Sequence, residues 1–263
     1  MSSRVLSAVI ALLVVVAAAG CATYATPVEV AGSCGNVFKS QVCTWATLDG
    51  STLVEAGAMV PIAGIENAPA EVPMVWPPVP EATIDMPELV RQQGGLVQFT
   101  VDWEAGGHPP AAFMTPHFDF HFYTMSAADV AAIDCKDESK PATLPTAYAL
   151  PDIPLPPHMA HMMGVPALVG LCVPKMGMHG VPAADVARTE VFGGTMVVGY
   201  YKGKPIFIEP MVSKAMLMKK AGFELPIPEV PGLAGPHPTK FRAEYDTTQQ
   251  AYRLILSGFV GGV

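Results

Sequence analysis

The segment Pro116-His117-Phe118-Asp119-Phe120-His121-Phe122-Tyr123 holds the densest chemistry in the chain. Alternate side chains of an extended strand share a face, so His117, Asp119 and His121 point one way while Phe118, Phe120 and Phe122 point the other. A solvated face usually carries Lys, Glu, Thr or Ser rather than two imidazoles flanking a carboxylate. Imidazole and carboxylate together suit a divalent transition metal such as zinc, copper or iron, and a carboxylate can also orient a ligating histidine from behind. Strand spacing sets a limit, because His117 and His121 lie about 13 Å apart along an ideal strand. Both reach one ion only if the strand bends or the rings lean inward. A second reading stays open, a hydrogen-bond ladder centred on Asp119 with no metal.

A strand offers one ion at most two convenient donors, and a tetrahedral metal needs three or four. Two distant segments supply candidates. Met176-Gly177-Met178-His179-Gly180 puts a histidine in what reads as a glycine-flanked turn, and Glu209 sits inside the apolar run Ile206-Phe207-Ile208-Glu209-Pro210-Met211. The expected ligand set is therefore His117, His121 and His179 with Glu209 or Asp119, which requires the 176–180 turn to approach the 117–121 strand. Glu209 taken alone reads equally as the solvent-facing member of its strand. A softer alternative is copper held by His158-Met159-Ala160-His161-Met162-Met163, since thioether and imidazole suit Cu(I). Methionine is more often a flexible core filler, and the chain has 15 of them. There is no G-x-S-x-G elbow, P-loop, Rossmann glycine pattern or H-E-x-x-H, so the sequence assigns no reaction.

The elements that must position these residues are mostly strands. Val42–Leu48 and Leu53–Val60 alternate around Asp49-Gly50, a strong hairpin signal. A short helix is expected from Met86 to about Gln93, then a strand over Leu96–Trp103. The Gly106-Gly107-His108-Pro109-Pro110 loop leads into the histidine strand, and Ser126 caps a short helix. Residues 141–182 read as Pro-rich and irregular. A second hairpin spans 190–212 around Lys202-Gly203-Lys204, Ser213 caps a helix running to about Gly222, and Tyr245–Leu256 is a final amphipathic segment. With 27 prolines and 24 glycines, long coiled coils and helical bundles are excluded. The fold class is β-rich α+β: an antiparallel sheet or barrel-like core with long Pro-rich loops and a few short helices.

Residues 1–20 read as a signal peptide, with Arg4 before an apolar run too short for a comfortable membrane span. Ala18-Ala19-Gly20-Cys21 resembles a bacterial lipobox, which makes Cys21 the lipidation site and the membrane a partner through the anchor. A plain signal peptide that releases a secreted protein is the alternative. Residues 21–36 read as a tether and 37–263 as one domain. Four further cysteines in an oxidising compartment suggest two disulfides, and Cys34–Cys43 with Cys135–Cys172 is the pairing whose loops neither cross nor nest. The net charge of −8, with only 15 Lys and Arg, leaves no basic stripe for nucleic acid.

On its motifs the chain resembles a family of uncharacterised, mostly secreted bacterial proteins, defined by a domain of unknown function whose structural representative is a thermophile homo-oligomer. The resemblance covers about residues 38–222 and rests on motif order. It runs from Leu48-Asp49-Gly50 and Glu55 to Pro61, through Gly107-His108-Pro109-Pro110, the central Pro116–Tyr123 motif and Met176-Gly177-Met178-His179, to Glu209-Pro210-Met211. The polar residue that the family carries soon after the M-G-x-H segment has no counterpart in Gly180-Val181-Pro182, and the next carboxylate is Asp185. The resemblance implies a β-dominated fold, is compatible with a homo-oligomer, and transfers no activity. Two functions follow: an envelope protein with a His/carboxylate metal site, or a non-catalytic envelope binding or scaffold protein without one.

Overall fold

A computed structural model describes residues 26–261 except 74 and 234; the expected signal peptide and Cys21 lie outside the described residues. In chain order the first strands are β1 (Val28–Val37), β2 (Ser40–Asp49), β3 (Thr52–Pro61), β4 (Ala82–Asp85) and β5 (Gln98–Glu104). Next come β6 (His117–Tyr123), β7 (Tyr148–Ala149), β8 (Ile153–Pro154), β9 (Ala167–Leu168) and β10 (Met178–Pro182). The last are β11 (Gly194–Tyr201), β12 (Lys204–Ser213), β13 (Phe223–Glu224), β14 (Lys240–Asp246) and β15 (Ala251–Ser257). They form a six-stranded sheet in the order β1-β2-β3-β15-β14-β13 and a seven-stranded sheet in the order β4-β5-β6-β12-β11-β10-β7, with β8 and β9 paired separately. Neither sheet closes into a barrel among the described residues.

Turn chemistry sets the hairpins. Asp49 pairs with Thr52 around Gly50-Ser51, one residue later than the sequence suggests, and Tyr201 pairs with Lys204 around Lys202-Gly203. Lys202 and Gly203 both take the left-handed backbone that a tight two-residue hairpin loop requires. The principal core joins one face of each sheet. Phe118, Phe120 and Phe122 meet Ala58, Leu254 and Leu256 of the six-stranded sheet in one buried cluster. Phe118 and Phe120 stack at 5.7 Å, and Phe99 lies 4.7 Å from Phe122. The aromatic side of the histidine strand is thus a packing face, as the alternation implies.

Two expectations need correction. Most of the segment read as a tether is strand β1, laddered to β2 and bonded to it through Cys34–Cys43. Its Val-Glu-Val-Ala-Gly-Ser-Cys-Gly-Asn sequence is largely exposed on both faces, so it shows no apolar alternation to read. Ser213 does cap a helix, accepting from the Met216 amide, but that helix is only Lys214–Leu217. The second disulfide, Cys135–Cys172, ties the long 133–177 excursion to itself. Two disulfides fit an oxidising compartment. No described helix is long and apolar enough to cross a membrane.

Candidate metal centre

The seven-stranded sheet turns its other face toward the loops, and that face carries the ionisable residues. The β5–β6 ladder sets Thr100 opposite His121, Asp102 opposite Asp119 and Glu104 opposite His117. On the other side of β6, Ile208 pairs with Phe122 and Met211 with Asp119, a register that brings Glu209 opposite His121. Further out, His179 of β10 pairs with Gly199 of β11, which pairs with Phe207 of β12. Gly199 is required there: a Cβ would fall 2.0 Å from the Phe207 ring. The missing side chain lets that ring pack beside both histidines, 4.8 Å from His121 and 5.2 Å from His179.

Three strands thus bring His121, His179 and Glu209 together, with donor atoms all within 4.8 Å of one another. Glu209 Oε2 lies 3.6 Å from His121 Nε2 and 3.9 Å from His179 Nε2. A tetrahedral ion with bonds of about 2.0–2.1 Å holds its donors about 3.3–3.4 Å apart, and both Glu209 contacts lie within about half an ångström of that separation. Each ring is fixed from behind. His121 Nδ1–H donates to Asp102 Oδ2 at 3.1 Å, and Thr100 Oγ1 donates to the same oxygen at 3.0 Å. His179 Nδ1–H donates to the Leu171 carbonyl at 2.9 Å. This is the outer support that metal-ligating histidines commonly have, and it turns both Nε2 lone pairs toward Glu209. His121 Nε2 and Glu209 Oε2 are buried without a hydrogen-bond partner, a costly state for an ordinary core. Only His179, at 10% side-chain exposure against 1% for the other two, borders solvent.

The expected single site does not hold His117 and Asp119. They form a second group with His108, which the sequence alone places only in the 106–110 loop. His117 Nε2 lies 3.3 Å from Asp119 Oδ1, and His108 Nε2 lies 3.8 Å from Asp119 Oδ2. His121 lies four positions along β6 from His117, so the two rings serve different neighbours. His179 is not in a turn but in a paired strand. Glu209 is not solvent-facing but 1% exposed. His158 and His161 lie on a helix, Pro157–Met163, that has no buried residue, and neither joins a group of ligands among the described residues. Asp185 accepts from Thr195 Oγ1 and pairs with Arg188, and it joins neither group. Asp102 and Glu104 also escaped the sequence reading, although the polar alternation Gln98, Thr100, Asp102, Glu104 marks their face.

Electrostatics sets the charge state of each group. Burial opposes charge on His121, but Glu209 and Asp102 beside it draw its pKa up to about 9. Burial pushes Glu209 up to about 8, against the pull of His121. Both shifts have one meaning: without a cation, the group retains protons at neutral pH. His179 is held down at about 3 by burial and by His121. In the second group, burial is outweighed at His108 by Asp119 and Glu104, which raise it to about 9, while burial holds His117 at about 4. Burial also works against the Asp119 carboxylate, but His117 and His108 hold it at about 2. Glu104 is raised to about 7 by burial and by Asp119.

Fold and site together define a two-sheet α+β protein with buried His/carboxylate groups that could hold a metal ion. Compared with protein families, curated proteins and solved structures, the chain has no significant match.

Proposed function

We propose that this protein binds a divalent transition-metal ion through His121, His179 and Glu209. The observation that carries this reading is the convergence of two Nε2 atoms and a buried, unpartnered carboxylate oxygen, with each ring's other nitrogen already committed. Two imidazoles and one carboxylate suit zinc or Fe(II) and leave at least one coordination position for a small oxygen ligand. Such an ion would polarise that ligand. The chain's own residues exclude bulk water from all but the His179 edge, and Asp102 holds the proton on His121 Nδ1. The two disulfides, the Ala18-Ala19-Gly20-Cys21 motif and the resemblance to a secreted family support an address outside the cytoplasm, anchored through Cys21.

Element analysis of untagged full-length protein tests the reading. Glu209→Gln and His179→Ala should each lose about one equivalent relative to wild type, with an unchanged far-ultraviolet spectrum, because a three-donor site tolerates no loss. Metal content equal to wild type in both variants would refute it.

A further inference from the structure

The design around His121 is repeated four residues earlier on the same strand. His117 Nδ1–H donates to the Thr115 carbonyl at 2.7 Å, and His108 Nδ1–H donates to the Pro109 carbonyl at 2.8 Å. Both Nε2 atoms therefore turn toward Asp119, whose two oxygens they meet at 3.3 and 3.8 Å. His117 is fully buried and Asp119 is 8% exposed, yet His117 Nε2 and Asp119 Oδ1 have no hydrogen-bond partner. A buried imidazole lone pair aimed at a buried carboxylate is repulsive unless a proton or a metal ion stands between them. His108 is brought in by a loop with no slack. Gly107 is left-handed, a Cβ on it would fall 2.1 Å from the Phe113 carbonyl oxygen, and the His108 amide donates to that same oxygen.

We propose that His108, His117 and Asp119 form a second divalent-cation site, filled independently of the first, with Glu104 opposite His117 as the carboxylate able to complete it. The two groups have no ligand in common. Paired-ion catalytic centres hold their metals about 3.5–4 Å apart, whereas His117 and His121 are separated by roughly 13 Å of ideal strand. This is two single-ion sites on one sheet face. They differ in access, since His108 is 31% exposed while every side chain of the first group is 10% exposed or less. The second ion should therefore exchange faster with chelator.

Titration of the metal-free full-length chain with Co(II), followed by visible absorption and element analysis, tests this separately from the first site. Wild type should take up about two equivalents, one per three-donor group. His108→Ala, at a partly exposed loop position, and Asp119→Asn, which preserves shape, should each lose one equivalent while the Glu209-dependent spectrum remains. Glu209→Gln should lose the other equivalent. A single equivalent removed by Glu209→Gln and untouched by His108→Ala and Asp119→Asn would overturn the second site, leave the first standing and reduce the group to a His108–Asp119 ion pair. One equivalent lost in all three variants would mean one shared ion and overturn independence. No cobalt bound to any form would overturn both readings.

Discussion

At the scale of residues, the proposed metal site would rest on groups that never touch an ion. Asp102 is one of these: its Oδ2 accepts from both His121 and Thr100, so it fixes which imidazole nitrogen carries the proton. Replacing it with Asn keeps the shape but removes the charge, and the amide can present an N–H to Nδ1 and force the other tautomer. Loss of such an outer partner typically costs 10–100-fold in affinity. Asp102→Asn is expected to weaken zinc binding by about that factor with all three ligands intact. Competition with a chromophoric chelator would measure it, and unchanged affinity would show that Asp102 is only a core residue. That His117, Asp119 and His121 share a face was legible, because strand alternation decides a face without knowledge of the fold. That His179 and Glu209 meet His121 was legible only as a requirement of coordination. The partition was not: whether His117 shares an ion with His121 depends on which residues the neighbouring strands and the 106–110 loop put opposite each ring. His108, Asp102 and Glu104 become visible only once that cross-strand register is known.

At the scale of elements, the two hairpins could be read because left-handed turn residues sit between β-prone runs. Strands β1 and β10 could not. One is exposed on both faces, and the other is five residues long inside a Pro-rich stretch, so each exists through pairing rather than through its own pattern. Pairing with β11 makes His179 a strand residue, and Gly199 in β11 makes room for Phe207 beside it. Gly199→Ala should displace that ring at a cost of about 1–3 kcal/mol, the usual range for overpacking. Metal affinity should fall in parallel, because Phe207 packs against both histidines. Urea unfolding with metal titration would show this, and a variant as stable and as tight-binding as wild type would contradict the packing. The disulfides should also separate. Leu171, whose carbonyl orients His179, directly precedes Cys172, whereas Cys34–Cys43 only staples the β1–β2 edge. The Cys135→Ser, Cys172→Ser double variant should bind metal more weakly, and the Cys34→Ser, Cys43→Ser variant should bind as wild type does. Equal affinities in the two would remove the link between the bridge and the site.

At the scale of the whole molecule, one sheet face is a hydrophobic core and the other sets buried ionisable groups among a second apolar cluster, so global stability must depend on what neutralises those groups. Without metal, the pKa shifts fix the direction. His117 and His179 have folded pKa values of about 4 and 3, below the unfolded value of about 6.5. The unfolded chain therefore binds more protons, and stability falls as the pH drops below about 6.5. His121 and His108 are raised to about 9, so the folded chain binds more protons, and their contribution is complete below about 6.5 and lost as pH rises toward 9. Glu209 at about 8 and Glu104 at about 7 are carboxyls that folding keeps protonated, so they too lose stability as pH rises above about 4.5. Between about 4.5 and 6.5 the opposing slopes offset each other; above that the raised groups all act in one direction, Glu104 up to about pH 7, Glu209 to about 8 and the two histidines to about 9. A bound cation replaces the protons of His121 and Glu209 and reverses that direction, because metal affinity grows as the competing protons leave. The metal-free protein should therefore melt at a lower temperature at about pH 8.5 than at about pH 6.5, and the rise in Tm on adding zinc should be larger at the higher pH. Calorimetry of both forms at the two pH values would measure the gap. A gap that is constant or narrows with pH would mean that the buried array is neutralised by something other than a metal ion.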